Sequence, residues 1–387
     1  MRYICRSRRG WRLTSAVVNR RLFGKAGRIA LCANTGNDYF NGDYEMKIRN
    51  AILASSVALA MLGVCGSASA AEAKCKRPTE FKLAFNQTEA HPQFKAAVEF
   101  GKRLLEATGG CYSIKGYANE TLGTQSAVIN NVSDGSIAMA YLGGPVIESM
   151  NPDSIVFNLP YVFDSYDAQQ SVFTDDSIVG EFKDSMVASK HIKVLALVYA
   201  GTRNVYTKKP VRTPADLSGQ KIRVQQSDSQ VKMIQLMGAI ATPMGQGDVY
   251  SALQTGTLDG AENNETVFDA LKHNEVAKFY NYTQHLMIPD YLIMNSDILN
   301  KMPEADRKAL LDLVPEIAKM ANEGFKNDYI PESVEAAKKK GATFVTDVDN
   351  AAFKAAVAPL VKESINNPVR QKLYDAVQQA NAKYPAK

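Results

Sequence analysis

A chain of 387 residues with 45% hydrophobic and 22% charged content is long enough to bury two cores. Its formal charge of +5 misleads about partners: residues 1–70 hold 11 Lys and Arg against 3 Asp and Glu, and the remainder holds 34 against 37, a net of −3. The part that folds therefore offers no electrostatic footprint for nucleic acid.

From Met46 the chain reads MKIRN, then the apolar run Ala51–Gly63, then Ser67-Ala68-Ser69-Ala70. A short basic start, an apolar stretch and a small-residue cleavage site predict a signal peptide over 46–70, cut after about Ala70. The run is too short for a spanning helix, so the mature chain is expected in the periplasm with no stable membrane insertion. Residues 1–45 resemble no export element and read as an upstream extension of the gene. Cys65 invites a lipidation reading, against which stand the bulk of Val64 and the cleavage site that follows. Cys75 and Cys111 remain in the mature part. They lie just ahead of EFKLAF (80–85) and YSIKGY (112–117), so parallel pairing of those strands would permit a disulfide; two unpaired buried cysteines is the other reading.

Strands and helices then alternate. After EFKLAF, His91-Pro92 opens a helix-period stripe (Phe94, Ala97, Val98, Gly101, Leu104, Leu105) that ends at Gly109-Gly110. A helix is predicted over 124–134 and a third strand at IAMAYL (137–142), nearly continuous in apolar character as parallel strands are. This βαβαβ start indicates an α/β fold. KVLALVYAG (193–201) leads into a second set: QKIRV (220–224), a helix at 229–237, the strand-like GAIATPM and a helix at 248–254 closed by Gly256. The chain returns to the first set through YLIMN (291–295), and a helix over 304–325, ATFV (342–345) and two terminal helices follow. Crossings near 200 and 288 predict two lobes joined by strands around a central cleft with a hinge. Lobe I is placed at 76–200 plus 289–328, and lobe II at 201–288 plus 329–387.

Catalytic chemistry finds no footing. The four histidines, His91, His191, His273 and His285, form no HExxH, and there is no GxSxG elbow or Walker A run. Gly245-Gln246-Gly247 lacks the third glycine of a dinucleotide loop, and TDVDN (346–350) lacks the rest of a calcium loop. No cofactor, metal or catalytic residue is expected. What stands out is a pair of arginines in apolar-flanked segments, Arg203 and Arg223. A guanidinium matches a carboxylate bidentately where a lysine cannot. Each could also be a surface residue or a salt bridge between lobes. Glu262, in the triplet Glu262-Asn263-Asn264, suits an arginine partner better than a ligand group, since it would repel a bound acid. His91 could be a helix cap.

The string PADLSGQKIRVQQSD…MGAIATPM…DVYSALQTGTLDGAENN closely resembles the extracytoplasmic solute-binding proteins of TRAP transporters (DctP type). TLGTQSAVINNVSDGSIAMA, FNLPYVFDSYDA, AGTRNVYTKKPV and HNEVAKFYNYTQH extend the likeness from about Phe81 to the terminal helices. The resemblance implies a two-lobed periplasmic binding protein-like (class II-like) fold with a long helix spanning both lobes. Its ligand is a small organic acid, and its partners are the small and large TRAP permease subunits. It implies that Arg223 grips the carboxylate with Asn263, with Arg203 nearby, and that Glu262 and His285 balance Arg203 beneath the site. ENN, HNEVAKFYN and His91-Pro92 look most like the branch that binds hexuronates, in which His91 and Gln125 would meet hydroxyl groups, and Asn264 joins the expected ligand set. The chain departs from that pattern at Gly245-Gln246, where an aromatic wall gives way to an amide, and at Gln125 and Glu265. A C4-dicarboxylate, 2-oxo or aromatic acid is the alternative ligand, and a sensor feeding a signalling receptor the alternative role.

Overall fold

The computed structural model describes residues 74–386; the leader read at 46–70, the upstream segment 1–45 and Cys65 lie outside them. Eleven strands form two sheets. They are β1 (Thr79–Ala84), β2 (Tyr112–Tyr117), β3 (Met139–Gly143), β4 (Ile192–Tyr199), β5 (Arg203–Thr207), β6 (Lys221–Val224), β7 (Ile240–Pro243), β8 (Gly260–Asn263), β9 (Phe279–Leu286), β10 (Pro289–Asn295) and β11 (Thr343–Val345). The first sheet has the order β2-β1-β3-β10-β4 and the second β11-β9-β5-β8-β6-β7.

In the first sheet β1 runs parallel to β2 and β3, while β10 is antiparallel to β3 and β4. At the centre of the sheet both faces are covered, and β3 is buried at every position. Ala140 and Leu142 face one core, and Met139 and Tyr141 face another. Thr79 pairs with Tyr112, which brings the strand starts together, and Cys75 and Cys111 are joined by a disulfide there. The helix Pro92–Ala107 packs on this edge through Phe94, Ala97, Phe100 and Leu104.

Gly101 lies where that helix meets β2. A Cβ built on it would sit 2.4 Å from the Ile114 carbonyl oxygen. Alanine favours a helix over glycine by about 1 kcal/mol, but here it would drive the helix off a backbone atom that has no rotamer to yield. Gly101→Ala is therefore expected to lower stability by about 1–3 kcal/mol, as other overpacked substitutions do. Urea unfolding would read it, and a stabilised variant would contradict this packing.

In the second sheet β5 is antiparallel to both neighbours, and β6 runs parallel to β7 and β8. The chain passes between sheets at Ala200–Thr202 and again at Met287–Ile288. A third link is helical. The helix Glu304–Gly324 packs on Pro92–Ala107 and β4, continues through a π-helical turn at Phe325–Tyr329, and runs on as Ile330–Lys339 against the helix Glu265–Ala270 of the other lobe. Sequence reading covers about 304–325 with this helix, and the resemblance implies a long helix spanning both lobes. The structure shows that span, with a π turn joining the segment that ends at Gly324 to the one that carries Pro331.

The division of the chain also needs one correction. The terminal helix Pro368–Lys383, grouped by sequence with lobe II, packs on segments of lobe I. Leu373, Val377 and Ala380 join the core that holds Phe157, Phe173 and Phe182. Arg370 pairs with Asp153 at 2.8 Å, and Asn381 donates to the Val162 carbonyl at 2.8 Å. The preceding helix, Asn350–Ser364, stays with lobe II, so the chain crosses back at 365–367.

Candidate functional site

On β6, Ile222 and Val224 enter the core, and strand alternation sends Arg223 to the other face. Arg223 is 2% exposed. Its Nε and Nη2 donate to the Met244 carbonyl at 3.0 and 2.7 Å, and Nη1 donates to Gln246 Oε1 at 3.4 Å. Among the described residues no carboxylate lies within ion-pair distance of it. Burial pulls its pKa down, which the more distant charge of Glu262 opposes. A guanidinium has five N–H donors; three are used, all on neutral acceptors. One proton on each Nη atom remains, the side-by-side pair that a carboxylate accepts.

Arg203 is the opposite case. Its Nε and Nη2 grip Glu262 Oε2 and Oε1, both at 2.6 Å, Nη2 also donates to the Glu262 carbonyl at 2.9 Å, and Nη1 to Asn263 Oδ1 at 2.9 Å. Four of five donors are spent inside the protein. Burial would raise the Glu262 carboxyl, but the Arg203 charge and hydrogen bonds from His285 and Arg203 outweigh it and hold the pKa at about 2. His285 Nε2 stands 3.5 Å from Glu262 Oε2, and its Nδ1 meets Thr283 Oγ1 at 2.8 Å. Burial pushes the His285 pKa down, with Glu262 opposing.

Asn263 sits two residues past Ala261, the partner of Arg223 in register, so both side chains leave the sheet on one face. Its Oδ1 is taken by Arg203 and by the Asn264 N–H at 2.9 Å, which leaves the amide nitrogen to donate outward. Asn264 takes a different part from the one read in the sequence. Its Oδ1 caps the helix Glu265–Ala270 by accepting from Val267 N and Thr266 Oγ1, and its Nδ2 donates to the Ala200 carbonyl at the strand crossing. Both ends of this amide are engaged within the protein, Oδ1 as a helix cap and Nδ2 at the strand crossing.

Gln125 Oε1 accepts from Gly143 N at 2.7 Å, and the side chain lines one cavity with Glu120, Thr124, Arg223, Gln225 and Gln246. Gly143 permits this crowding: a Cβ there would stand 2.7 Å from Gln225 Nε2. His91 caps its helix by accepting from Gln93 N at 3.2 Å, and its ring packs among Phe85, Phe325 and Tyr329. Burial and the charge of Lys95 lower its pKa to about 3, so the ring is neutral at physiological pH. It does not line the Arg223 cavity, although its neighbour Phe85 lines an adjoining one with Glu120, Gln125 and Tyr141.

Each of these two cavities measures about 10 Å³, room for one water at most. The lobes are shut on each other. Ser227 and Ser229 of lobe II donate to Glu148 of lobe I at 2.8 and 2.9 Å, and Ser126 of lobe I donates to Gln226 at 3.1 Å. A much larger cavity of about 580 Å³ opens beside Tyr161, Tyr166, Lys326 and Lys354, but it contains neither arginine. The unpaired charge, not the volume, locates the candidate site. Three buried polar atoms in the closed cleft also have no hydrogen-bond partner among the described residues: Gln225 Oε1, Gln246 Nε2 and Tyr141 Oη.

Sequence reading missed Gln225, Glu120, Tyr141 and Glu148. Gln225 was within reach, because it stands at i+2 from Arg223 and strand periodicity places both on one face. The others come from the opposite lobe and carry no local signal. Among the described residues no group of His, Cys, Asp and Glu is placed to hold a metal ion, and no helix is long and apolar enough to cross a membrane.

The family described as bacterial extracellular solute-binding protein, family 7, matches residues 83–367. A solute-binding protein of Chromohalobacter salexigens is 33% identical over 303 residues, which cover 76% of this chain and 87% of that one. Among solved structures, a TRAP periplasmic solute binding protein of Anaerococcus prevotii with bound α/β-D-glucuronate superposes with a TM-score of 0.77 at 37% identity, covering 80% of this chain and 100% of the other. One from Xanthobacter autotrophicus with bound β-D-galacturonate gives 0.74 at 31% identity, covering 78% and 99%.

Proposed function

Because this chain belongs to the bacterial extracellular solute-binding proteins of family 7, we propose that it captures a hexuronate-like sugar acid between its lobes and delivers it to TRAP permease subunits. Arg223 carries the reading: a buried guanidinium with no carboxylate partner and one free proton on each Nη atom. Asn263 supports the same carboxylate through its amide nitrogen. Gln225, Gln246 and Tyr141 each bring an unpartnered polar atom to the cleft. Buried polar atoms call for partners, and the hydroxyls of a polyhydroxylated acid both donate and accept, which suits the Gln225 oxygen as well as the Gln246 amide nitrogen, whereas an ionised carboxylate can only accept. The glucuronate and galacturonate bound by the two similar solved proteins point the same way.

The closed cavities are far too small for a sugar acid, so binding requires the lobes to part and re-close. A ligand drives closure only by what it contacts better in the closed state. Contacts such as Glu148 with Ser227 and Ser229 form across the lobes without touching the Arg223 cavity. They add to closure for any ligand, and the acid decides which ligand brings it about. No covalent step and no cofactor enters this cycle. The signal peptide read at 46–70 and membership of an extracellular solute-binding family support a periplasmic location.

Calorimetric titration with D-glucuronate, D-galacturonate, succinate and glucose tests the reading. A hexuronate is expected to bind with Kd of about 1 μM or below, and glucose, which has no carboxylate, not to bind. Saturable succinate binding with no response to either hexuronate would overturn the sugar-acid assignment.

A further inference from the structure

We propose that Glu120 is the specificity determinant of the cleft: a carboxylate on the wall opposite Arg223 that accepts hydroxyl groups of the ligand and turns away acids carrying a second carboxylate. The inference rests on the reading above and says which end of the ligand meets which lobe. Glu120 lines both small cavities, one of them together with Arg223, Gln125 and Gln246. Its backbone is held in place. Asn119 and Glu120 both adopt left-handed conformations, with φ of 56° and 55°, uncommon for residues other than glycine. Bonds from Asn119 N to the Gln87 carbonyl (2.9 Å) and from Glu120 N to the Phe85 carbonyl (3.2 Å) secure the turn.

The side chain is lightly used. Among the described residues its one hydrogen bond is a 3.3 Å contact in which Gly247 N, on the other lobe, donates to Oε2. An ionised carboxylate can accept about four hydrogen bonds, so most of its capacity is left for a ligand in the cavities it lines. Arg223 attracts it from across the cleft and Asp248 repels it. Burial raises its carboxyl above the ordinary glutamate range, while the Gly247 N–H and Arg223 pull the other way. A ligand whose carboxylate is held at Arg223 presents its far end to this wall. Hydroxyl groups there donate to Glu120; a second carboxylate meets a like charge at a half-buried wall of the cleft.

D-glucuronate and D-glucarate share a six-carbon frame; glucarate carries a carboxylate at C1 in place of the hemiacetal and so stays open-chain, a difference that is the same for every variant, and the pair is titrated at pH 8 against wild type, Glu120→Gln and Glu120→Ala. Wild type is expected to prefer glucuronate. Glu120→Gln keeps the shape and removes the charge, and should shift the glucarate-to-glucuronate affinity ratio toward glucarate by about tenfold or more, given the strength of like-charge repulsion at cleft distances. Glu120→Ala should weaken glucuronate further than Glu120→Gln does. A merely bracing role through Gly247 would lower both affinities together and leave the ratio unmoved; that result, or no change at all, overturns the proposal. Wild type that binds glucarate as tightly as glucuronate overturns it too, with the sugar-acid reading intact. Wild type that binds neither would overturn both.

Discussion

Arg223→Ala is expected to abolish measurable capture of the acid while leaving the fold in place. Truncating one partner of a buried, hydrogen-bonded charge pair costs about 2–5 kcal/mol, or roughly 30-fold to several-thousand-fold in Kd at about 1.4 kcal/mol per decade. The reason lies in what Arg223 touches. Its three bonds go to the Met244 carbonyl and the Gln246 amide, so the ligand carboxylate is the first anion to neutralise it. Removing an uncompensated buried charge does not remove an ion pair from the protein. The melting temperature without ligand should therefore stay the same or rise, and the ligand-induced increase in melting temperature should vanish. Lysine should not rescue binding, since it cannot present the side-by-side proton pair. Titration of Arg223→Ala at an affinity within threefold of wild type would remove Arg223 from the carboxylate site.

Glu262→Gln should do the reverse and damage the fold. Here a fully buried carboxylate holds both arms of the Arg203 fork at 2.6 Å. Breaking such a pair leaves Arg203 charged and uncompensated in the interior, at a cost of about 3–5 kcal/mol. The pKa points to a similar size. A carboxyl held at about 2 against an ordinary 4.5 corresponds to about 3 kcal/mol at 1.36 kcal/mol per unit. The sign follows from the direction. Because the folded pKa is depressed, the contribution is complete above the unfolded value near 4.5 and is lost as pH falls through about 2. The gap in urea stability between wild type and Glu262→Gln should be full at pH 7 and narrow on acidification below about pH 4.5. A variant as stable as wild type at pH 7 would show that the pair contributes nothing net. Taken together, the two substitutions separate one arginine that serves the ligand from one that serves the protein.

Much of this was legible in the chain because its signals are local. Alternating strand and helix periods identified an α/β fold. The position of Cys75 and Cys111 ahead of strand starts made a disulfide possible, and the parallel pairing of β1 with β2 realised it. Arg223 between Ile222 and Val224 read as a cleft-facing cation, because alternation on a buried strand leaves it no other face. Where local signals conflicted with packing, packing won. The local reading stopped the long helix near 325, yet the helix runs on through a π turn to Lys339, the two-lobe span that the resemblance implied. Asn264 read as one more polar residue of a ligand triplet, yet the helix that begins at Glu265 needed a cap. Pro368–Lys383 read as part of the second lobe by order alone, yet its apolar stripe found its partners on the first.

By itself, then, the sequence determined the class of fold, the family, and two arginines in apolar-flanked segments as candidates to meet an acid, since each is written in residues close together along the chain. The tertiary structure shows Arg203 neutralised by Glu262, the pairing that the family resemblance implied. It also decided what faces the other one: a carbonyl at Met244, an amide at Gln246 and a carboxylate at Glu120 on the far lobe. The physical reason is that charge compensation is a matter of a few ångströms in space. Glu262 reaches Arg203 from 59 residues away, an approach that only the family resemblance pointed to, and Glu120 faces a cleft completed 127 residues later, which no pattern along the chain records.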